Sequence, residues 1–181
     1  MRILISGGAK SGKSSLAQDL ALRLANGGKH YYVATLIPCD EEDRQRIRRH
    51  LADRAGMGFE TIECGTDILR CLDQADPNAT FLLDSTTALL TNALFPIGSN
   101  GVKDEEGAER CAEDLLTFFQ TVVNAVVVSD FIFSDAMRYD AGTEIFRKRL
   151  ADIDRRLATA SDTVLEVTAG NLTIHKGGLP R

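Results

Sequence analysis

Residues Gly7-Gly8-Ala9-Lys10-Ser11-Gly12-Lys13-Ser14 set glycines, a lysine and a hydroxyl in the spacing GxxxxGK[ST]. A loop of this kind does phosphate chemistry. Its glycines let successive backbone N–H groups turn toward one cluster of oxyanions. A helix starting near the lysine adds its positive end to the same point. The lysine then reaches the β- and γ-phosphates, and the serine hydroxyl ligates Mg²⁺. The first expectation is therefore a nucleoside triphosphate held by Gly7 to Ser14, with Lys13 as a catalytic cation and Ser14 as a metal ligand.

The ion on such a triphosphate also wants a carboxylate fixed at the end of a buried strand. Asp84, closing Phe81-Leu-Leu-Asp84, is the leading candidate, and Asp130, after Ala125-Val-Val-Val-Ser129, is the second. The competing role for Asp84 is structural, because Asp84-Ser85-Thr86 also reads as a helix start.

A second constellation lies at Arg46, His50 and Arg54, spaced i, i+4, i+8 on one helical face with Arg49 close by. Neighbouring guanidiniums disfavour an imidazolium, which leaves His50 neutral and nucleophilic while the arginines grip phosphates. That suits phosphoryl or nucleotidyl transfer through a phosphoramidate. The same residues also describe a solvated, salt-bridged helix with Glu41, Glu42 and Asp43 as counter-charges. Periodicity alone does not separate the two readings.

The elements that must position these groups follow from the apolar pattern. Arg2–Ser6 is a short buried strand, and Ser15–Leu24 is a helix with Leu16, Leu20 and Leu24 on one face. Asn26-Gly27-Gly28 ends that helix. His30–Thr35 is the next strand, completing a βαβ opening. The spacing further predicts a charged helix over 40–54 with a thin apolar line at Ile47 and Leu51. A strand over 59–63, a helix over 66–74 capped by Thr66 and a strand over 81–84 follow. Then come helices over 89–95 and 105–122, separated by a loop over 96–101. The apolar run 125–129 reads as a parallel strand covered on both faces. A helix over 144–159 and a hairpin of 163–168 with 172–175, turning at Gly170-Asn171, complete one α/β domain over 1–181.

The chain's 181 residues are 44% hydrophobic and 26% charged, with net charge −5, as in an ordinary soluble globular domain. The acidic balance argues against a nucleic-acid-coating surface, which needs clustered cations. The apolar run near 122–128 is too short to span a membrane, and the N-terminus lacks a secretory pattern. Cys39, Cys64, Cys71 and Cys111 form no CxxC pair, and His30, His50 and His175 are scattered. These cysteines read as core or near-core thiols in a reducing cytoplasm.

With these residues in view, the chain resembles the adenosylcobinamide kinase / adenosylcobinamide-phosphate guanylyltransferase family. The family opening GGARSGKS matches Gly7–Ser14, and its Y-[IV]-A-T strand matches Tyr32–Thr35. Its R-I-x-x-H-x-x-x-R matches Arg46 to Arg54, and W-x-T-x-E corresponds to Phe59 to Glu63. L-[DE]-C-x-T followed by T-N corresponds to Leu83–Thr87 and Thr91-Asn92.

The resemblance implies a RecA-like P-loop NTPase fold, with a mostly parallel sheet covered by helices. It implies two activities: phosphorylation of adenosylcobinamide by GTP or ATP with Mg²⁺, and transfer of GMP from GTP to adenosylcobinamide phosphate. The second would run through a guanylyl adduct on the histidine matching His50. Gly7 to Ser14 and Thr35 would bind triphosphate. Arg46, Leu51, Arg54, Glu63 and Asp84 would contact the nucleotide, with Ser14 and Asp84 on the metal. A corrinoid substrate and a homo-oligomer, such as a trimer, are implied by resemblance alone, and no nucleic-acid partner is expected from the acidic balance. The residues themselves leave open a kinase for another alcohol or nucleotide, or a non-catalytic nucleotide-binding regulator.

The second half departs from the family pattern. Where [TS]-N-E-V-G-x-G-x-[VI]-P is usual, this chain has Ser129-Asp130-Phe-Ile-Phe-Ser134-Asp135; where G-x-x-N-Q is usual, it has Ala151-Asp-Ile-Asp154-Arg155. Side chains thus replace glycines beside the expected acceptor site.

Overall fold

A computed structural model describes residues 1–133 and 137–180. Ser134, Asp135 and Ala136, within the divergent segment, lie outside the described residues. The strands are β1 (Arg2–Gly7), β2 (His30–Ala34), β3 (Glu60–Glu63), β4 (Thr80–Asp84), β5 (Asn124–Asp130), β6 (Thr163–Thr168) and β7 (Asn171–Lys176). The helices are α1 (Lys13–Ala25), α2 (Glu41–Asp53), α3 (Thr86–Leu94), α4 (Glu105–Thr121) and α5 (Ala141–Ala160).

One sheet contains all seven strands in the order β3-β2-β4-β5-β1-β6-β7. The pairings among the first six strands are parallel, and β7 returns antiparallel to β6. The carboxyl ends of the central strands therefore lie along one edge. In register, Gly7 stands opposite Asp130, Asp84 opposite Val128 and Ala34 opposite both Asp84 and Glu63. This is the edge where open α/β sheets bind ligands.

Alternation along each strand builds two cores. Ile3, Ile5, Val126, Val128 and Leu165 pack with Ala17, Leu20 and Ala21 of α1. Leu4, Phe81, Leu83 and Val127 face the other way and join residues of α3, α4 and α5. There Phe81 stacks with Tyr31 at 5.1 Å and meets Phe118 edge-on at 5.4 Å. Each such side chain contributes about 1.5–3 kcal/mol by leaving water, so the strand ends above them are firmly held.

Several boundaries differ from expectation for local reasons. The helix expected over 66–74 is a short 3₁₀ helix, Ile68–Asp73, and Thr66 does not cap it. Asp67, in front of it, takes a left-handed φ of 48°, and its side chain makes no capping hydrogen bond. Helix α3 starts at Thr86, where the Ser85 hydroxyl accepts from the Ala88 N–H. Asp84 is thus not the cap. Helix α5 begins at Ala141 because the Asp140 carboxylate takes the Gly142 and Thr143 N–H groups, ahead of any apolar periodicity. The terminal hairpin turns at Ala169-Gly170, both left-handed, and Asn171 belongs to β7. Three of the four cysteines are buried, but Cys39 is exposed in the loop after β2. No helix of the described residues is long and apolar enough to cross a membrane.

Candidate active site

At the end of β1 the backbone passes so close to β6 that a Cβ on Gly7 would sit 2.3 Å from the Val167 carbonyl oxygen. Gly12 takes a φ of 99°, a left-handed conformation that frees the chain to enter α1 at Lys13. The Ser11 N–H returns to the Gly8 carbonyl, and the Gly170 N–H donates to Ser11 O at 3.2 Å. The hairpin tip thereby braces the loop. Gly8, Ala9 and Lys10 face solvent. Lys13 instead points inward, only 6% exposed. Its ammonium donates to Gly8 O at 2.7 Å and pairs with Asp130 at 3.0 Å.

Beyond Asp130, a cavity of about 820 Å³ runs along the strand ends beneath α2. Arg46, His50, Leu51, Arg54, Glu63 and Asp84 all line it, so residues spread over nearly forty positions of chain meet in one chamber. Asp130 lines it as well and touches Lys13, which makes it the link between chamber and glycine loop. The glycine loop itself and Thr35 are not part of the chamber wall.

Helix α2 carries no buried residue and owes its start to the Asp40 side chain, which accepts from Asp43 N. Arg44 and Arg48 pair with Glu41, as a solvated charged helix should. The side chains of Arg46 and His50 make no hydrogen bond or ion pair among the described residues, and they look into the cavity. Arg44 and Arg48 line the same cavity, so the helix turns both its paired and its unpaired arginines toward the chamber.

Arg54, at the end of α2, is 7% exposed and lays its guanidinium over the Tyr32 ring, 3.3 Å from its centroid. One guanidinium nitrogen is buried without a partner. The Tyr32 hydroxyl donates to Asp84 Oδ2 at 3.4 Å. Burial, reinforced by the Asp84 charge, pushes the Tyr32 phenol far above its ordinary pKa, so it remains a neutral donor. Asp84 has no other side-chain partner among the described residues, which leaves most of its hard oxygen lone pairs open. Those donors, with the Ser14 hydroxyl, suit Mg²⁺. No group of three or more His, Cys, Asp and Glu side chains converges among the described residues.

Two residues shape this edge from behind. The Thr35 hydroxyl donates to Ser85 O and accepts from Ser85 N, both at 2.8 Å, fully buried. Its side chain is committed to the turn after Asp84 rather than turned toward a ligand. Asn92 donates to Thr35 O and to Gly65 O, both at 2.8 Å, tying the ends of β2 and β3 to α3. Sequence reasoning missed this role for Asn92, whose only signal was its place in the T-N pair. It also missed Tyr32 as the platform for Arg54. Behind β5, Asp154 of α5 is buried, and neither of its carboxylate oxygens has a hydrogen-bond partner. Burial pushes its pKa up to about 7; the nearby Ser129 hydroxyl opposes this and the Asp130 charge adds to it.

The sequence profile described as cobinamide kinase / cobinamide phosphate guanyltransferase matches residues 3–174. The chain is 30% identical to the bifunctional adenosylcobalamin biosynthesis protein CobU of Salmonella typhimurium, over 94% of this chain and 97% of that one. It is 26% identical to the protein of the same name from Escherichia coli, with the same coverage. Among solved structures, a KaiC-like protein from Pyrococcus horikoshii OT3 aligns with a TM-score of 0.51 at 14% identity, covering 97% of this chain and 78% of that one. A prototypical ATPase from the type III secretion system of pathogenic bacteria aligns with a TM-score of 0.51 at 16% identity, covering 92% and 51%. These likenesses establish the P-loop NTPase fold. The match across nearly the whole chain decides the rest: this enzyme belongs to the cobinamide kinase / cobinamide phosphate guanyltransferase family.

Proposed function

We propose that the protein phosphorylates adenosylcobinamide with GTP or ATP, and that it transfers GMP from GTP to adenosylcobinamide phosphate through a guanylyl adduct on His50. The observation that carries this reading is the shared chamber: Arg46, His50, Arg54, Glu63 and Asp84 line one cavity that reaches Lys13 through Asp130.

In the kinase step, the acceptor hydroxyl oxygen bonds to the γ-phosphorus, and the nucleoside diphosphate departs with the bridging oxygen. Lys13 and the backbone N–H groups of the glycine loop hold the transferring end. In the second reaction a ring nitrogen of His50 bonds to the α-phosphorus of GTP, and pyrophosphate leaves. The phosphate of the corrinoid then takes the guanylyl group and frees the imidazole. Arg46 and Arg54 bind the phosphates, and Glu63 faces the nucleoside. Ser14 and Asp84 would hold Mg²⁺, which supplies charge neutralisation on the phosphates.

The test is the intact mass of the protein after incubation with GTP and Mg²⁺ without corrinoid. Wild type should gain an acid-labile, GMP-sized adduct and His50→Ala none. GTP binding with no adduct on wild type would reduce His50 to a phosphate clamp.

A further inference from the structure

We propose that Asp154 is a positioning residue for triphosphate binding: as a neutral acid it completes a buried polar layer behind the glycine loop, and as an anion it repels the phosphates. This rests on the glycine loop being the triphosphate site, as in the function proposed above.

Alternation along two strands builds the layer. Leu4 of β1 and Val127 of β5 point into the core shared with α5, so Ser6 and Ser129, two residues further on, point to the same side. Ser6 and Ser129 are partners in register on adjacent strands. Leu150, Ile153 and Leu157 seat α5 in that core, and Asp154 of the same helix comes down beside Ser129. Asp154 is 8% exposed. Both of its carboxylate oxygens, Ser129 Oγ and Ser6 Oγ are buried without a hydrogen-bond partner. Gly7 follows Ser6 and Asp130 follows Ser129, so the layer lies directly behind the start of the loop and the Lys13–Asp130 pair.

A buried carboxylate needs a counter-charge, and the neighbouring elements supply none. From β5, Asp130 brings a charge of the same sign, and its partner Lys13 is already engaged. From β6, Glu166 stands opposite Ser6 in register and is bonded to His175 of β7. The arginines of α5 are held elsewhere: Arg149 and Arg156 by Glu109 of α4, Arg155 by Asp152, and Arg147 by Glu144 and the Ile132 and Met137 carbonyls. From α3 comes the uncharged Thr86. A proton is what remains to neutralise Asp154, and burial pushes its pKa up to about 7. In the family pattern G-x-x-N-Q, Asp154 falls on the asparagine, a side chain of the same shape that carries no charge at any pH. Asp130 likewise falls on an asparagine, but it has Lys13 as its counter-charge.

Ionised, Asp154 sets a second negative charge behind β5 in a buried layer, where charges are screened less than in water. The loop in front of that layer must hold a polyanion, so ionisation and triphosphate binding oppose each other. The coupling is reciprocal: bound triphosphate makes Asp154 hold its proton more tightly. Binding is therefore strongest below the folded pKa of Asp154 and weakens as pH rises through it.

Titration of wild type, Asp154→Asn and Asp154→Ser with a non-hydrolysable GTP analogue and Mg²⁺, from about pH 5.5 to about pH 8.5, tests the proposal. The ratio of the wild-type dissociation constant to that of Asp154→Asn cancels the titration of the analogue itself. It should rise about tenfold from the acid to the alkaline end, an ordinary size for coupling between two sites. Asp154→Ser, also uncharged, should follow Asp154→Asn and replaces it should the asparagine variant not fold. A merely structural Asp154 would change affinity by the same factor at every pH. A ratio that stays within about threefold across the range, or that falls, would overturn the proposal. Wild type binding no analogue at any pH, or Lys13→Ala binding it as well as wild type does, would instead overturn the triphosphate site on which the inference rests.

Discussion

Arg54 rests its guanidinium 3.3 Å over the ring of Tyr32, and the same ring's hydroxyl bonds to Asp84. One aromatic side chain thus sets the position of both a cation and a carboxylate on the chamber wall. The plane of the guanidinium matters here, because only a flat cation keeps van der Waals contact with a ring face while leaving a nitrogen free for an anion. Arg54→Lys should therefore behave more like Arg54→Ala than like wild type. Both should raise the KM for GTP in guanylylation by about tenfold or more, judged by roughly 1.5 kcal/mol of lost charge-assisted bonding. Initial rates against GTP concentration check this, and a lysine variant with wild-type KM would show that charge alone suffices.

On the proposed function the P-loop lysine and the strand-end carboxylate serve both reactions, so their loss should not separate them. Lys13→Ala should abolish phosphorylation and guanylylation together, because each needs a bound triphosphate. Asp84→Asn should shift the Mg²⁺ concentration for half-maximal turnover upward by about tenfold, the scale of one lost metal–oxygen ligand. Unchanged turnover in the first variant, or an unchanged Mg²⁺ titration in the second, would remove the role in question.

How legible was this arrangement? Gly7 to Ser14 were readable because the chemistry demands a fixed spacing along one stretch of chain. The i, i+4, i+8 face of α2 was readable for the same reason. Yet the sequence could not choose between nucleophile and solvated helix. That choice depends on whether His50 and its neighbouring arginines face a cavity or open solvent, a matter of where α2 sits over the strand ends. Asp130 was visible only as a second-choice metal ligand. Its pairing with Lys13 needs β5 beside β1, across more than a hundred residues. The helix starts at Thr86 and Ala141 were misplaced because caps, not apolar periodicity, set them. Tyr32 and Asn92 act through residues far along the chain, so their places in the Y-[IV]-A-T and T-N matches marked them without showing what they touch.

Gly7 offers a test of the loop's packing rather than its charge. An alanine there would place its Cβ against the Val167 backbone, which cannot swing aside as a side chain could. Gly7→Ala should destabilise the fold by about 1–3 kcal/mol. It should also weaken triphosphate binding, since β6 and the hairpin tip that braces Ser11 would be pushed away. Thermal melts with and without nucleotide measure both. A variant that melts and binds as wild type does would mean β6 shifts freely at this point.

Asp154 predicts how stability depends on pH. Its carboxyl titrates near 7 in the folded protein, against an ordinary value of 3.8, because burial penalises the anion. The folded state therefore binds this proton more tightly than the unfolded state. Stability from this group is complete below about pH 3.8 and falls as pH rises toward 7, above which the penalty is constant. Between pH 5 and pH 8 the loss is about 2–3 kcal/mol, at 1.36 kcal/mol per pH unit across the part of that window below the folded value. Asp154→Asn removes the titration but keeps a buried polar group, so its absolute stability is a poor guide; the pH dependence is the useful signal. Denaturant unfolding of both proteins at pH 5 and pH 8 should show wild type losing about 2–3 kcal/mol more than the variant over that interval. Equal losses would mean that Asp154 gains a partner or solvent when ionised, and that the carboxyl behind β5 does not oppose the charge on Asp130.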